Sequence, residues 1–260
     1  MQIIFFTTII YAIFFGLMYS YLENDDRKLK KTNKSFGVIV LLCIALVLRL
    51  SLSNVIEGHK TDIACFKQWA EKLAAEGMRN FYEPDYFADY PPLYMIVLYY
   101  IGKIKLLLGL SYNSQAYTLL IKLPAILSDI ALAAVIYFEG RKFIGNKSAG
   151  AFSVVIAFSP IIILNSTFWG QIDSVFTLVL VLSFIELYKE RYYSSAFLYV
   201  LCALIKPQAF IVAPVYLCAY LKTKDYKMIG KCIFIGLATA FAAALPFTNN
   251  FNFLWLLEKY

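Results

Sequence analysis

Three polar interruptions of apolar sequence carry residues able to do chemistry. "TDIACFKQWA" (61–70) begins with Asp62, "NSTFWGQIDSVF" (165–176) places Trp169, Gln171 and Asp173 together, and "LIKPQAF" (204–210) sets Lys206 and Gln208 around Pro207. A carboxylate such as Asp62 can take a proton from a hydroxyl as that hydroxyl attacks. A lysine withheld from bulk water suits an anionic ligand, a phosphate in particular, and steadies charge developing on a leaving oxygen. Gln171 can hold a ligand hydroxyl or a phosphate oxygen, and Asp173 can orient a neighbour such as Lys206. Plainer readings exist for each. Asp62 also suits a helix N-cap beside Thr61, Lys206 suits a lysine snorkelling from a short hairpin, and "WGQIDS" suits a polar turn.

Two further groups read as supports. In "DYPPL" (89–93) the paired prolines start a helix, which leaves Asp89 and Tyr90 available to face a cavity. Lys122 and Asp129 stand seven residues apart in an apolar run, so they share one helix face about two turns apart. A carboxylate at such depth costs several kcal/mol unless it faces protein or water. A satisfied ion or hydrogen-bond partner inside a bundle explains this pair at least as well as chemistry does.

The elements that must position these groups are membrane helices. The 260-residue chain is 61% hydrophobic, against about 45–50% for soluble domains. Apolar runs occupy 3–22, 36–53, 92–108, 116–138, 149–168, 172–188, 192–206, 208–221 and 230–247. The sequence predicts an all-α, polytopic transmembrane bundle of about eight spans, with amphipathic interfacial helices in the first outer loop. Residues 1–35 form an extra N-terminal helix and basic loop, 54–110 an outer-face loop, and 111–260 the remaining bundle. The segment 3–22 lacks a basic n-region and a small-residue cleavage site, so it reads as retained.

Charge sets the sides. The formal net charge of +7 resides in short loops, where it anchors cytoplasmic faces rather than marking a nucleic-acid partner. "ENDDRKLKKTNK" (23–34), "EGRKFIGNK" (139–147) and "KTKDYKMIGK" (222–231) all lie inside only if 92–108 does not cross. Lys103 and Lys105 in that run agree with an interfacial or re-entrant helix. Asp62, "DYPPL", "WGQIDS" and "KPQ" then share one outer face. The residues of "TDIACFKQWAEKLAAEG" alternate as an amphipathic helix suited to a membrane surface. Lys206, Pro207 and Gln208 split an apolar stretch into legs of about 15 and 14 residues, each too short to span. A break of this kind is tolerated where it lines a cavity.

Five cysteines, four of them in apolar runs, give neither a disulfide framework nor zinc spacing. The single His59 leaves no His-paired metal site within the chain and makes a Ser-His-Asp hydrolase untenable.

The order Asp62 and Trp69, then "DYPPL", Lys122 with Asp129, "WGQIDS" and "KPQ" resembles the C-type glycosyltransferase fold, GT-C. It is similar in particular to bacterial proteins related to the second mannosyltransferase of GPI-anchor synthesis, and more loosely to dolichyl-phosphate-glucose-dependent glucosyltransferases, over about residues 36–247. The resemblance implies a polyprenyl-phosphate hexose donor, inversion at the anomeric carbon, and an acceptor hydroxyl on a glycan, lipid or protein. It assigns the general base to Asp62. Lys206, Gln208, Gln171 and Trp169 are expected to bind the donor phosphate and sugar, with Asp89, Tyr90, Asp173, Lys122 and Asp129 in support. Some members of the fold need a divalent metal, for which Asp62, Asp89 and Asp173 are the carboxylates at hand. Relatives usually run to 400 residues or more, so the chain reads as a front half, its acceptor-recognition half being absent or supplied by a partner subunit. The competing expectations are another transfer from a polyprenyl-phosphate donor, a transporter or flippase for lipid-linked sugars, which needs no base, and a non-catalytic subunit. The expected setting is a bacterial plasma membrane with the site facing outward.

Overall fold

Among the described residues every regular element is helical. The computed structural model describes residues 34–79, 81–83 and 85–248; the expected helix at 3–22, nearly all of the basic loop after it and the "NNFNFLWLLEKY" end fall outside them. Helix α1 (Lys34–Val55) is apolar over spanning length. It leads through a short loop to the amphipathic α2 (Lys60–Glu76) and then to α3 (Pro92–Leu107), which starts on the second of two prolines.

The long apolar helix α4 (Gln115–Phe158) breaks at Gly145, where the backbone leaves the helical region (φ 77°, ψ 165°). Its legs double back on each other. Ser153 Oγ donates to the Ala133 carbonyl at 2.7 Å across 20 residues, which a straight helix would hold ~30 Å apart. The sequence places a basic loop at this point, and the structure turns inside it. After Ser159 a short α5 (Pro160–Ile163) runs into a π-helical turn, Leu164–Trp169, closed by Gly170 in the left-handed region. An added Cβ at Gly170 would lie 2.5 Å from Ile63 Cδ1, so glycine is required there by conformation and by space.

Helix α6 (Asp173–Tyr188) pairs with α7 (Tyr192–Ile205). Lys206 ends α7 in an extended conformation, Pro207–Val212 forms a 3-10 turn, and α8 (Ala213–Lys222) continues to α9 (Tyr226–Ala244). The break expected at "KPQ" is therefore present. Three stretches, 35–55, 115–169 and 226–247, are long and apolar enough to cross a bilayer. The middle one is doubled by the Gly145 turn. Eight spans are not established by these elements.

One expectation needs correcting. The apolar face of α2 does not lie open for a membrane surface: Ile63, Phe66, Trp69, Ala70, Leu73 and Ala74 are buried within the protein. Gly102 of α3 explains the fit. A Cβ there would overlap the Ala70 carbonyl and lie 2.8 Å from Ala74 Cβ, so the two helices touch backbone to backbone. Lys103 and Lys105 serve the same contact, Lys103 Nζ donating to the Ala74 carbonyl at 2.9 Å and Lys105 pairing with Glu71 at 2.8 Å.

Candidate active site

His59 caps α2 in an extended conformation without a side-chain bond. Asp62 follows in the first turn, so it is not the cap that its sequence context allows. Its carboxylate meets the turn after α5. Trp169 Nε1 and Gln171 Nε2 each donate to Asp62 Oδ2 at 2.6 Å. His59 Nδ1 stands 3.4 Å from the same oxygen, and its ring stacks on Trp169 at 4.8 Å. All three contacts fall on Oδ2 and none on Oδ1. The Asp62 side chain is 26% exposed, enough for a ligand to reach it.

The network continues through Gln171, whose Oε1 accepts from the Tyr90 hydroxyl at 3.1 Å. Lys206 Nζ lies 5.3 Å from the centroid of the Tyr90 ring and is paired with Asp173. Asn165 Nδ2 donates to the other Asp173 oxygen at 2.9 Å. Lys206 is thus a neutralised cation, not a bare one, and its side chain is 11% exposed. Burial pushes the Tyr90 phenol well above its usual range, and the carboxylates of Asp89, Asp173 and Asp62 push it further. Tyr90 is therefore a lasting hydrogen-bond donor.

Lys122 and Asp129 hold the turn that carries Trp169 and Gln171. Lys122 Nζ donates to the carbonyls of Thr167 (2.9 Å) and Ile56 (2.6 Å), tying the π turn to the loop before α2. Asp129 accepts from Arg49 Nε at 2.9 Å and from Ser166 Oγ at 2.5 Å, and it also binds Ser174 Oγ. Arg49 and Asp129 have no solvent exposure, so each charge is compensated inside the bundle as such depth requires. A π turn gives up ordinary helix geometry, and these bonds secure the Leu164–Trp169 turn on both sides.

Asp89 and Gln208 are exposed and stand outside this hydrogen-bonded group. Among the described residues no group of three or more His, Cys, Asp or Glu is placed to hold a metal ion, so Asp62, Asp89 and Asp173 do not form a ligand set by themselves. Sequence reasoning missed five participants, Asn165 among them, whose only signal was its place at the head of "NSTFWGQIDSVF". Arg49 had a visible signal, a lone charge within "IALVLRLSLS". Ser166 and Ser174 had none beyond flanking "WGQID", and His59 entered only as the sole histidine.

Helices of spanning length, interrupted where polar side chains converge, make this an integral-membrane glycosyltransferase of the GT-C type. The chain belongs to glycosyltransferase family 87, which it matches over residues 87–255. Family membership makes the protein an enzyme and implies a polyprenyl-phosphate-linked sugar donor and an acceptor. The matched segment holds every residue expected from the sequence except Asp62, which joins the site through its bonds to Trp169 and Gln171; Arg49 and His59 also precede it. No curated protein matches the chain significantly.

Proposed function

We propose that this enzyme transfers a hexose of the mannose or glucose type from a polyprenyl-phosphate donor to an acceptor hydroxyl, with inversion, on the outer face of a bacterial plasma membrane. One observation carries the reading: a continuous chain of contacts from Asp62 through Gln171 and Tyr90 to Lys206, within a family 87 protein. It sets a carboxylate at one end and a lysine at the other, as hydroxyl activation and phosphate departure require.

In this mechanism Asp62 Oδ1 takes the acceptor hydroxyl's proton while Trp169 and Gln171 hold Oδ2. The acceptor oxygen bonds to the anomeric carbon, and the bond from that carbon to the phosphate oxygen breaks. The polyprenyl phosphate leaves with the electron pair on the Lys206 side. There the phosphate competes with Asp173 for the ammonium, and Asn165 keeps the released Asp173 carboxylate hydrogen-bonded. Tyr90 orients Gln171 and offers Lys206 an aromatic face. Asp89 and Gln208 are exposed polar groups outside this chain of contacts.

The test is a transfer assay on the purified chain in lipid, using radiolabelled polyprenyl-phosphate mannose and glucose with a membrane-lipid acceptor fraction. Labelled product is expected with the unmodified protein, and Asp62→Asn should lower the rate by about 10²–10⁴. Undiminished transfer by Asp62→Asn would remove the base from the mechanism. Donor movement across the bilayer without product would favour a transporter.

A further inference from the structure

A cavity of about 270 Å³ lies beside the loop before α2 and the first turns of that helix. Gly58, Lys60 and Ile63 form the shared wall, alternating along the chain with His59 and Asp62, which serve the site already described. The opposite wall is the start of α4 and the loop before it, with Tyr112, Asn113, Gln115 and Thr118. The wall itself is closed to passage: a Cβ at Gly58 would already lie 2.8 Å from Ile63 Cγ1 and 3.0 Å from the Trp169 carbonyl. A ligand here is therefore beside the reacting pair, not between its members.

The lining is chemically mixed. Ser53 supplies a hydroxyl that is buried (3% exposed) and has no hydrogen-bond partner. An orphaned buried hydroxyl in a cavity wall needs an explanation, and rotation of the Ser53 side chain to meet a ligand oxygen provides one. Glu57 contributes an acceptor, Asn54 an amide, and Lys67 a buried ammonium. The lysine is already engaged: it donates to the Tyr112 carbonyl at 2.9 Å and lies over the Tyr112 and Tyr117 rings at 5.2 and 5.3 Å. Lys67 is occupied, and Glu57 sets a carboxylate against the other lysine of the lining, Lys60, so little net charge is left to draw an anion. Vicinal hydroxyls, which each donate and accept, fit carboxylate, amide, hydroxyl and ammonium together, and the Tyr112 ring offers a flat apolar surface for a sugar's C–H face.

We infer that this cavity binds a sugar ring of the acceptor, a non-reacting ring next to the one that receives the hexose. Its role as an acceptor subsite rests on the reaction proposed above. The cavity selects for hydroxyl-rich acceptors, because an acceptor lacking them would leave Ser53 and Asn54 unpaired.

Saturation-transfer NMR on the full chain in lipid nanodiscs tests this, with methyl α-D-mannopyranoside and methyl β-D-glucopyranoside as probes and inorganic phosphate as competitor. Saturation should reach the ring protons of at least one glycoside. The signal should fall on the order of ten-fold in Ser53→Leu, which fills the cavity and removes the hydroxyl. It should also fall in Gln115→Ala, an exposed rim change that leaves the fold intact, and persist in Lys206→Met. No saturation of either probe, equal saturation in Ser53→Leu and Gln115→Ala, loss only in Lys206→Met, or displacement by phosphate would each overturn the inference. The readout is binding, so it separates two failures. A chain that binds the glycoside here yet transfers nothing from the donor defeats the proposed reaction, and with it the acceptor role, but leaves a sugar site. A chain that transfers hexose without cavity-dependent saturation defeats the cavity alone.

Discussion

Asp62 receives its position from its own helix and its orientation from residues 107 and 109 positions away. Trp169 supplies an indole N–H and a stacking face for His59; Gln171 supplies an amide and passes the contact on to Tyr90. Orientation is separable from basicity by substitution. Trp169→Phe keeps an aromatic surface for His59 but removes the donor, so kcat should fall by roughly ten-fold, less than the loss in Asp62→Asn, with donor KM little changed. Steady-state kinetics on both variants checks this. Tyr90 gives a prediction in pH. Its phenol is raised above about 10 by burial first and by neighbouring carboxylates second. Below that value Tyr90 stays protonated in folded and unfolded chains alike, so it adds no slope to stability or rate. Above it the unfolded phenol loses its proton first, and stability falls as pH rises. Tyr90→Phe should therefore lower the rate without moving the pH profile between about pH 6 and 9, and should flatten the loss of thermal stability above about pH 10. A Tyr90-dependent limb near neutrality would contradict the assignment.

At the scale of elements, two devices hold the residues in register. The first is the α2–α3 contact at Gly102, where glycine and two alanines let backbones meet. Gly102→Val should cost at least about 1–3 kcal/mol, because the added atoms meet the Ala70 carbonyl, not a side chain able to turn away. It should also depress transfer by shifting α2 and Asp62 together. Thermal unfolding and the transfer assay, run on the same sample, would show whether the two losses coincide. The second device is the buried Arg49–Asp129 pair under the π turn. Removing one partner leaves a lone buried charge, so Arg49→Met should cost about 3–5 kcal/mol. Arg49→Met with Asp129→Leu should recover much of that stability while losing the anchor for Ser166 and Ser174. Stability returning without activity is the expected signature of a turn that is held for function.

Across the whole molecule, the sequence disclosed helix limits better than it disclosed partners. Gly170 and the Lys206–Pro207 step mark real ends of helices because glycine and proline act on the local backbone, and local rules can be read from local sequence. Lys103 and Lys105 looked like residues of a membrane interface, yet they bind α2, since a lysine's partner is chosen by packing across the fold. Arg49 could have been matched to Asp129 as two charges stranded in apolar runs; His59 could not have been placed before the loop 56–59 was seen folded against the Trp169 carbonyl. The outer side proposed for the site rests on charge in the loops, and it yields the last prediction. The contacts joining Asp62, Gln171, Tyr90 and Lys206 require these groups to share one depth. Single cysteines at Ser114, Gln171 and Gln208, in a background without the native five, should all react with an impermeant thiol reagent added outside intact cells. A cysteine at the exposed Arg79 serves as the control for the loop. Protection at all three with a labelled control would turn the site inward and put the donor on the cytoplasmic leaflet. Labelling split between Gln171 and Gln208 would be the more damaging result, because Gln208 is two residues from Lys206, and a chain of direct contacts cannot place Gln171 and Lys206 on opposite sides of a bilayer about 30 Å thick.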